Sequence, residues 1–127
     1  MTQTLSALGG RYAVCRLDAA AEVPGWAPGA GGFVSITRTP DELSVVCAAS
    51  AVPEGVTAVR DWRCLRVDGP LDFALTGVMA SIAGPLAAAG VSIFVINTYD
   101  TDYVFVREGA LGRAVEALEQ AGHRVLR

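Results

Sequence analysis

An α+β plait is predicted by three observations: apolar strand-like runs, two helical stripes closed by glycine, and the order in which they alternate. Trp62-Arg63-Cys64-Leu65-Arg66-Val67 alternates apolar and basic side chains, the pattern of a half-buried strand. Asp68-Gly69-Pro70 breaks that strand as a turn, and Leu71 to Thr76 is an apolar connector. Val78, Ile82 and Leu86 then recur at four-residue spacing, one buried stripe of a helix. Gly77 gives the backbone freedom before it, and Gly90 stands where a left-handed C-cap residue is wanted. Pro85 removes an intrahelical bond and crowds the carbonyl of Ser81, so a bend, or a break near Gly84, is expected. Val91 to Thr98 and Asp102 to Arg107 read as strands joined by a segment short enough for a hairpin. In the first of them Val91, Ile93 and Val95 face one way and Phe94 and Ile96 the other, as in a strand covered on both sides. A second helix is expected from about Ala110 to Ala121, with Leu111, Val115 and Leu118 on its apolar face and Gly122 closing it. His123 to Leu126 is a last short strand, with His123 read as a surface or edge residue. The order is β-α-β-β-α-β. With right-handed crossovers it gives a ferredoxin-like plait, both helices on one face of the sheet.

The N-terminal half reads as a shortened version of the same plan, which divides the chain into residues 1–60 and 61–127. Arg11 to Leu17 is a strand, and the Pro/Gly-rich segment from Pro24 to Gly32 has room for one helical turn around Trp26. Phe33 to Arg38 and Leu43 to Ala49 are two further strands, joined by the charged turn Thr39-Pro40-Asp41-Glu42. No convincing second helix lies between Val52 and Asp61, so this half is β-α-β-β at most. A plait with helices on one face leaves the other face bare. Phe94, Ile96, Val104 and Val106 are expected to lie partly there, to be covered by the N-terminal half, by another copy of the chain, or by both.

Composition excludes several chemistries. The chain has 127 residues, is 52% hydrophobic and carries a formal net charge of −3, with arginine as its sole basic residue type besides His123. That balance, without a basic run, gives no electrostatic footprint for nucleic acid. The apolar stretches fall short of the roughly 20 residues of a membrane span. The N-terminus lacks the basic start and apolar block of a signal peptide, so a cytoplasmic protein is expected. One histidine rules out a two-histidine zinc site within one chain, and no Cys-x-x-Cys pair is present. Cys15, Cys47 and Cys64 sit in apolar strand-like runs and read as reduced core residues. Without lysine there is no Schiff-base chemistry, and histidine activation of a nucleophile is confined to His123. An enzyme is not expected.

Two segments stand out as chemistry-bearing. Asn97-Thr98-Tyr99-Asp100-Thr101-Asp102 places six polar-tipped residues between two apolar strands. Turn geometry is its minimal role, because Asn, Asp and Thr side chains bond nearby backbone groups, and it supplies too few oxygen ligands for a metal. Gly77 at a helix entrance exposes backbone N–H groups that favour an anion, with Ser81 one turn further in, where its hydroxyl faces a ligand or bonds its own helix. Donors for a carboxylate on one side and an acid for an ammonium on the other are what an α-amino acid pocket requires.

The stretch Leu75-Thr76-Gly77-Val78, Gly84-Pro85-Leu86-Ala87-Ala88-Ala89-Gly90 and Asn97-Thr98-Tyr99-Asp100-Thr101-Asp102-Tyr103 resembles the ACT-domain family. More narrowly it is similar to small bacterial tandem-ACT proteins related to the ACT repeats of the cytosolic arginine sensors. Phe33 to Cys47 is similar to the first ACT unit of those proteins. The resemblance implies a regulatory module, not an enzyme, that binds an amino acid or similar small metabolite at ACT–ACT interfaces. It also implies a homodimer with no cofactor and no metal. Carried onto this chain, the ligand-binding positions are Leu75, Thr76, Gly77, Val78 and Met79, then Ser81 and Ile82, and Asp102. The chain departs from the sensors in having two such units rather than four. The alternative is a protein–protein interaction module that needs no small ligand.

Overall fold

The computed structural model describes residues 2–28, 32–71 and 76–127. The described elements are strands β1 (Thr4–Ala7), β2 (Tyr12–Leu17), β3 (Ser35–Arg38), β4 (Leu43–Ala48) and β5 (Ala58–Val67), helix α1 (Val78–Ala88), strands β6 (Ile93–Asn97) and β7 (Asp102–Arg107), helix α2 (Leu111–Gln120) and strand β8 (Arg124–Leu126). From β5 onward the order is the β-α-β-β-α-β of a ferredoxin-like α+β plait. By their contacts the residues separate into Gly10–Trp62 and a second unit of Met1–Gly9 with Arg63–Arg127.

The second unit holds a strand that the sequence reading overlooks. β1 lies between β5 and β8, antiparallel to the first (Leu5↔Val67) and parallel to the second (Leu5↔Val125). β7 pairs with β5 and with β6, the latter antiparallel from Ile93↔Val106 to Asn97↔Asp102. Four residues are too few for a period-2 pattern to show, and Leu5 is the single large apolar residue among them, 0% exposed. Neighbouring backbone fixes the strand: Asp68 N–H donates to Thr4 O (2.8 Å), Arg124 N–H to Gln3 O (2.9 Å) and Leu8 N–H to Cys64 O (2.9 Å). The expected boundary near residue 60 falls inside β5, whose first half pairs with β2 and whose second half pairs with β1.

Both helices end as their glycines dictate. At α1, Val91 N–H donates to Leu86 O (2.9 Å) and Gly90 N–H to Ala87 O (3.0 Å), with Gly90 at φ +73°. At α2, His123 N–H donates to Leu118 O and Gly122 N–H to Glu119 O, each at 3.0 Å. Each is a Schellman closure, in which two orphan carbonyls are satisfied and a left-handed glycine turns the chain. Val91 closes the cap, so β6 begins at Ile93 instead of Val91.

The expected break at Gly84 does not occur: α1 is one continuous helix with Pro85 inside it. A proline at that position cannot donate to the carbonyl of Ser81, four residues back. His123 Nε2 stands 2.8 Å from that carbonyl, and His123 Nδ1 is 3.0 Å from the backbone nitrogen of Gln3. The Gln3 N–H can only donate, so Nδ1 accepts and the ring proton sits on Nε2, aimed at Ser81. His123 is therefore no edge residue. It is 5% exposed, and it fills the vacancy that Pro85 leaves in the helix ladder.

The core of this unit lies between the helices and one face of the sheet. Leu5, Leu65 and Val67 from the central strands meet Ile82, Leu86 and Leu118. Val104 and Val106 belong here too, both 0% exposed, which corrects their assignment to the helix-free face. Alternation along β7 instead sends Tyr103 and Phe105 to that other face, where Phe105 stacks on Phe94 with ring centroids 4.4 Å apart and planes 2° apart.

In the unit Gly10–Trp62, β4 pairs antiparallel with β2 (Tyr12↔Ala48 to Leu17↔Leu43) and with β3 (Ser35↔Val46 to Arg38↔Leu43). The β3–β4 turn is set by Thr39, whose Oγ1 accepts the N–H groups of Asp41 and Glu42 at 3.2 Å. Among the described residues this unit has no α-helix. A turn at Gly25–Pro28, with Ala27 N–H donating to Pro24 O (3.2 Å), stands at the expected helical turn, and Trp26 and Ala27 pack onto Cys15, Leu43, Val45 and Cys47. All three cysteines are buried and unbridged. Burial pushes the Cys15 thiol up to about 11 and the Cys64 thiol up to about 12, away from thiolate reactivity.

Candidate functional site

Helix α1 begins without a side-chain cap. Its N-cap is Gly77, in the left-handed region at φ +78°, and the first backbone bond back to it comes from Ser81 N–H (3.0 Å). The N–H groups of the first turn therefore have no partner within the helix and carry the positive end of its dipole. Ser81 does not face outward from this turn: its hydroxyl donates to the Val78 carbonyl at 2.6 Å.

Opposite this helix start stands the β6–β7 hairpin. Thr98 shapes it: the Thr98 N–H donates to Thr101 O (2.8 Å), and Oγ1 accepts the Thr101 N–H (3.2 Å) while donating to Thr101 O (3.0 Å). Thr101 is 7% exposed, and its hydroxyl donates to the carbonyl of Val67 at the end of β5. Asp100 is tied through its carbonyl, which accepts the Leu71 N–H at 2.7 Å. Gly69 fits tightly beneath this turn, since a Cβ there would lie 3.0 Å from Leu71 N and 3.2 Å from both Asp100 O and Thr101 Cβ. The polar run Asn97–Asp102 thus has the turn role its composition predicts, and it is anchored to the chain leaving β5 as well as to itself.

Between hairpin and helix lies a cleft of about 270 Å³, lined by Leu71, Gly77–Met79 and Asn97–Asp102. Four of the expected ligand residues, Gly77, Val78, Met79 and Asp102, meet there. Thr76 is exposed and does not line the cleft. Ser81 is turned into its own helix, and Ile82 is 0% exposed in the core, so neither reaches it. Leu75 lies outside the described residues. Asn97 through Thr101 line the cleft beside Asp102, which the polar run signals in sequence; Leu71 carries no such signal.

The electrostatics of the cleft are lopsided. Asp100 and Asp102 contribute two carboxylates, and among the described lining residues there is no basic side chain. Asp102 is partly buried, and the loss of water around it pushes its carboxyl above the ordinary carboxylate range. A cation is favoured at this end and an anion at the amide end of α1. Among the described residues no three His, Cys, Asp or Glu side chains gather to hold a metal ion. No helix among them is long and apolar enough to cross a membrane.

Comparisons with known proteins agree with this fold. A family model described as an ACT domain matches residues 57–120, and a model for an N-terminal domain matches residues 10–55. A solved protein from Agobacterium tumefaciens is 42% identical, with TM-score 0.94, over 99% of this chain and 93% of that one. The regulatory subunit of aspartate kinase from Thermus flavus shares the fold at 12% identity, with TM-score 0.66, over 95% of this chain and 99% of that one. Human cytosolic arginine sensor for mTORC1 subunit 1 is 43% identical over 60 residues, which are 46% of this chain and 18% of the sensor. The chain thus corresponds to less than a fifth of the sensors it matches. With its plait, a cleft at the start of the first helix, and an ACT-domain model matching half of its residues, the chain belongs to the ACT-domain family.

Proposed function

We propose that this ACT protein is a non-catalytic regulatory module of the cytoplasm that binds a free amino acid in the cleft between α1 and the β6–β7 hairpin. The observation that carries the reading is Asp102, a partly buried carboxylate across one cleft from the uncapped start of α1. The amide end of the helix receives the ligand carboxylate, and Asp102 receives its ammonium or side-chain cation. The roles of the relatives, an arginine sensor and an aspartate kinase regulatory subunit, are consistent with that use of the fold. Two copies pair, and ligand binding acts by favouring one packing of the units over another. The outer face of α1 supports pairing: Ala80, Gly84, Ala87 and Ala88 are exposed, and the helix has no charged residue.

Calorimetry with each of the twenty amino acids tests this reading. At least one is expected to bind wild type, and Asp102→Ala is expected to weaken it by about tenfold or more, the worth of a hydrogen bond to a charged group. Absence of binding for all of them, or equal affinity in the two proteins, overturns it. The second reading, a pairing module without a small ligand, is favoured by that same charge-free helix face. It gains ground if native mass spectrometry shows a dimer that retains no metabolite.

A further inference from the structure

The hairpin that closes the first cleft also walls a second one. This cavity, about 480 Å³, is bounded by Arg66 and Asp68 at the end of β5, by Gly69-Pro70, by the turn from Thr98 to Thr101, and by Tyr103. Its chemistry differs from that of the first. Arg66 brings a cation, 45% exposed, whose ion pair with Asp68 is long at 3.4 Å. The same Asp68 Oδ1 also accepts the Ser6 hydroxyl at 2.8 Å, and with one of its five N–H donors on this long bond the guanidinium keeps most of them for an incoming anion. Across the cavity stands Asp100, fixed by its backbone carbonyl while its exposed carboxylate accepts no hydrogen bond from the described residues. A cation and an anion, each weakly engaged, face one polar space.

We infer that this cavity is a second ligand site, for a small dipolar molecule of the free amino acid class, with its carboxylate on Arg66 and its ammonium on Asp100. The site does not require the first cleft to be filled, and the two are coupled. Thr98, Asp100 and Thr101 line both cavities. A ligand that draws the Asp100 carboxylate to its own side withdraws negative charge from the first cleft and weakens cation binding there. By linkage, occupancy of the first cleft weakens the second to the same degree.

Amide NMR of the full chain, titrated with each free amino acid, separates the two sites. The amides of Arg66, Gly69 and Tyr103 report on the second cavity, and those of Gly77, Val78 and Met79 on the first. At least one amino acid is expected to shift the Arg66 group saturably, and Arg66→Gln is expected to raise that midpoint by about tenfold or more. Asp102→Ala, by contrast, does not raise it. Saturating the second cavity raises the midpoint of any transition seen at Gly77 to Met79. The inference falls if no amino acid moves the Arg66 group, or if Arg66→Gln leaves the midpoint unchanged. Midpoints at the two cavities that ignore each other overturn the coupling. Silence at Gly77 to Met79 alone overturns only the function proposed for the first cleft.

Discussion

The two helices of the C-terminal plait pack on the same sheet and are built by opposite means. α2 carries its own instructions: Ala114, Val115 and Leu118 are buried, Arg113, Glu116, Glu119 and Gln120 meet water, and Gln120 bonds Glu116 one turn back at 3.3 Å. α1 has no charged residue and contains Gly84 and Pro85, which cost a helix interior about 1 and about 3 kcal/mol relative to alanine. Its order comes from elsewhere, from Ile82 and Leu86 in the core and from His123 on the carbonyl that Pro85 leaves unserved. The helix that lines the cleft is thus the one that depends on residues far away in sequence. Such an element has two ways to respond to a ligand: through its exposed amide end and through the contacts that hold it together.

The largest effect that would break this comparison lies at His123. Replacing it with alanine is expected to cost about 1–3 kcal/mol in urea unfolding, because a partly buried carbonyl of α1 and the Gln3 N–H both lose their partner. Made in a Pro85→Ala background, the same change is expected to cost about 1 kcal/mol less, since an alanine in place of the proline supplies the missing N–H to the Ser81 carbonyl. Equal costs in the two backgrounds would mean that the imidazole acts by packing alone, and α1 would then differ little from α2.

A smaller effect is expected where the cleft is walled by the hairpin. Gly69→Ala places a methyl 3.0 Å from Leu71 N and 3.2 Å from Asp100 O and Thr101 Cβ, so the turn must shift by a few tenths of an ångström. The expected cost is about 1 kcal/mol, accompanied by amide shifts at Asp100 and Thr101 and none along α2. Unchanged hairpin amides would show that the turn yields freely and is no rigid wall.

These dependencies explain what the sequence makes legible. The stripes of α1 and α2, their closing glycines and the β6–β7 turn are local, within a few residues of chain, and each is found where the pattern puts it. β1 is not legible, because four residues with one large apolar side chain state no period, and its partners lie more than 50 residues away in β5 and more than 100 away in β8. The continuity of α1 through Pro85 is hidden for the same reason: the donor that rescues it comes from His123, 42 residues from Ser81. At the site, Gly77 to Met79 and Asp102 meet as their motifs suggest, whereas Ser81 and Ile82 illustrate the limit of counting positions. Both lie in the first turns of the helix, but one hydroxyl bonds its own backbone and the other side chain faces the core.

The smallest expected effect is a pH dependence, and it distinguishes the α1 side of the unit by sign. Asp102 holds its proton more tightly when folded than when unfolded, because burial disfavours its charged form. Between the unfolded and the raised folded value the native state therefore binds more protons, so stability falls as pH rises through that window and the cost persists at neutral pH. Acidification relieves it. Urea unfolding across this range should show wild type gaining on Asp102→Asn as pH falls, by an amount reduced by the partial exposure of the group. Binding of a cationic amino acid runs the opposite way, because the ligand needs the carboxylate ionised: affinity declines as pH falls, beginning above the ordinary carboxylate range. Stability curves that stay parallel for the two proteins would show Asp102 to be well hydrated, and the cleft opposite α1 would lose the buried charge on which its preference for a cation depends.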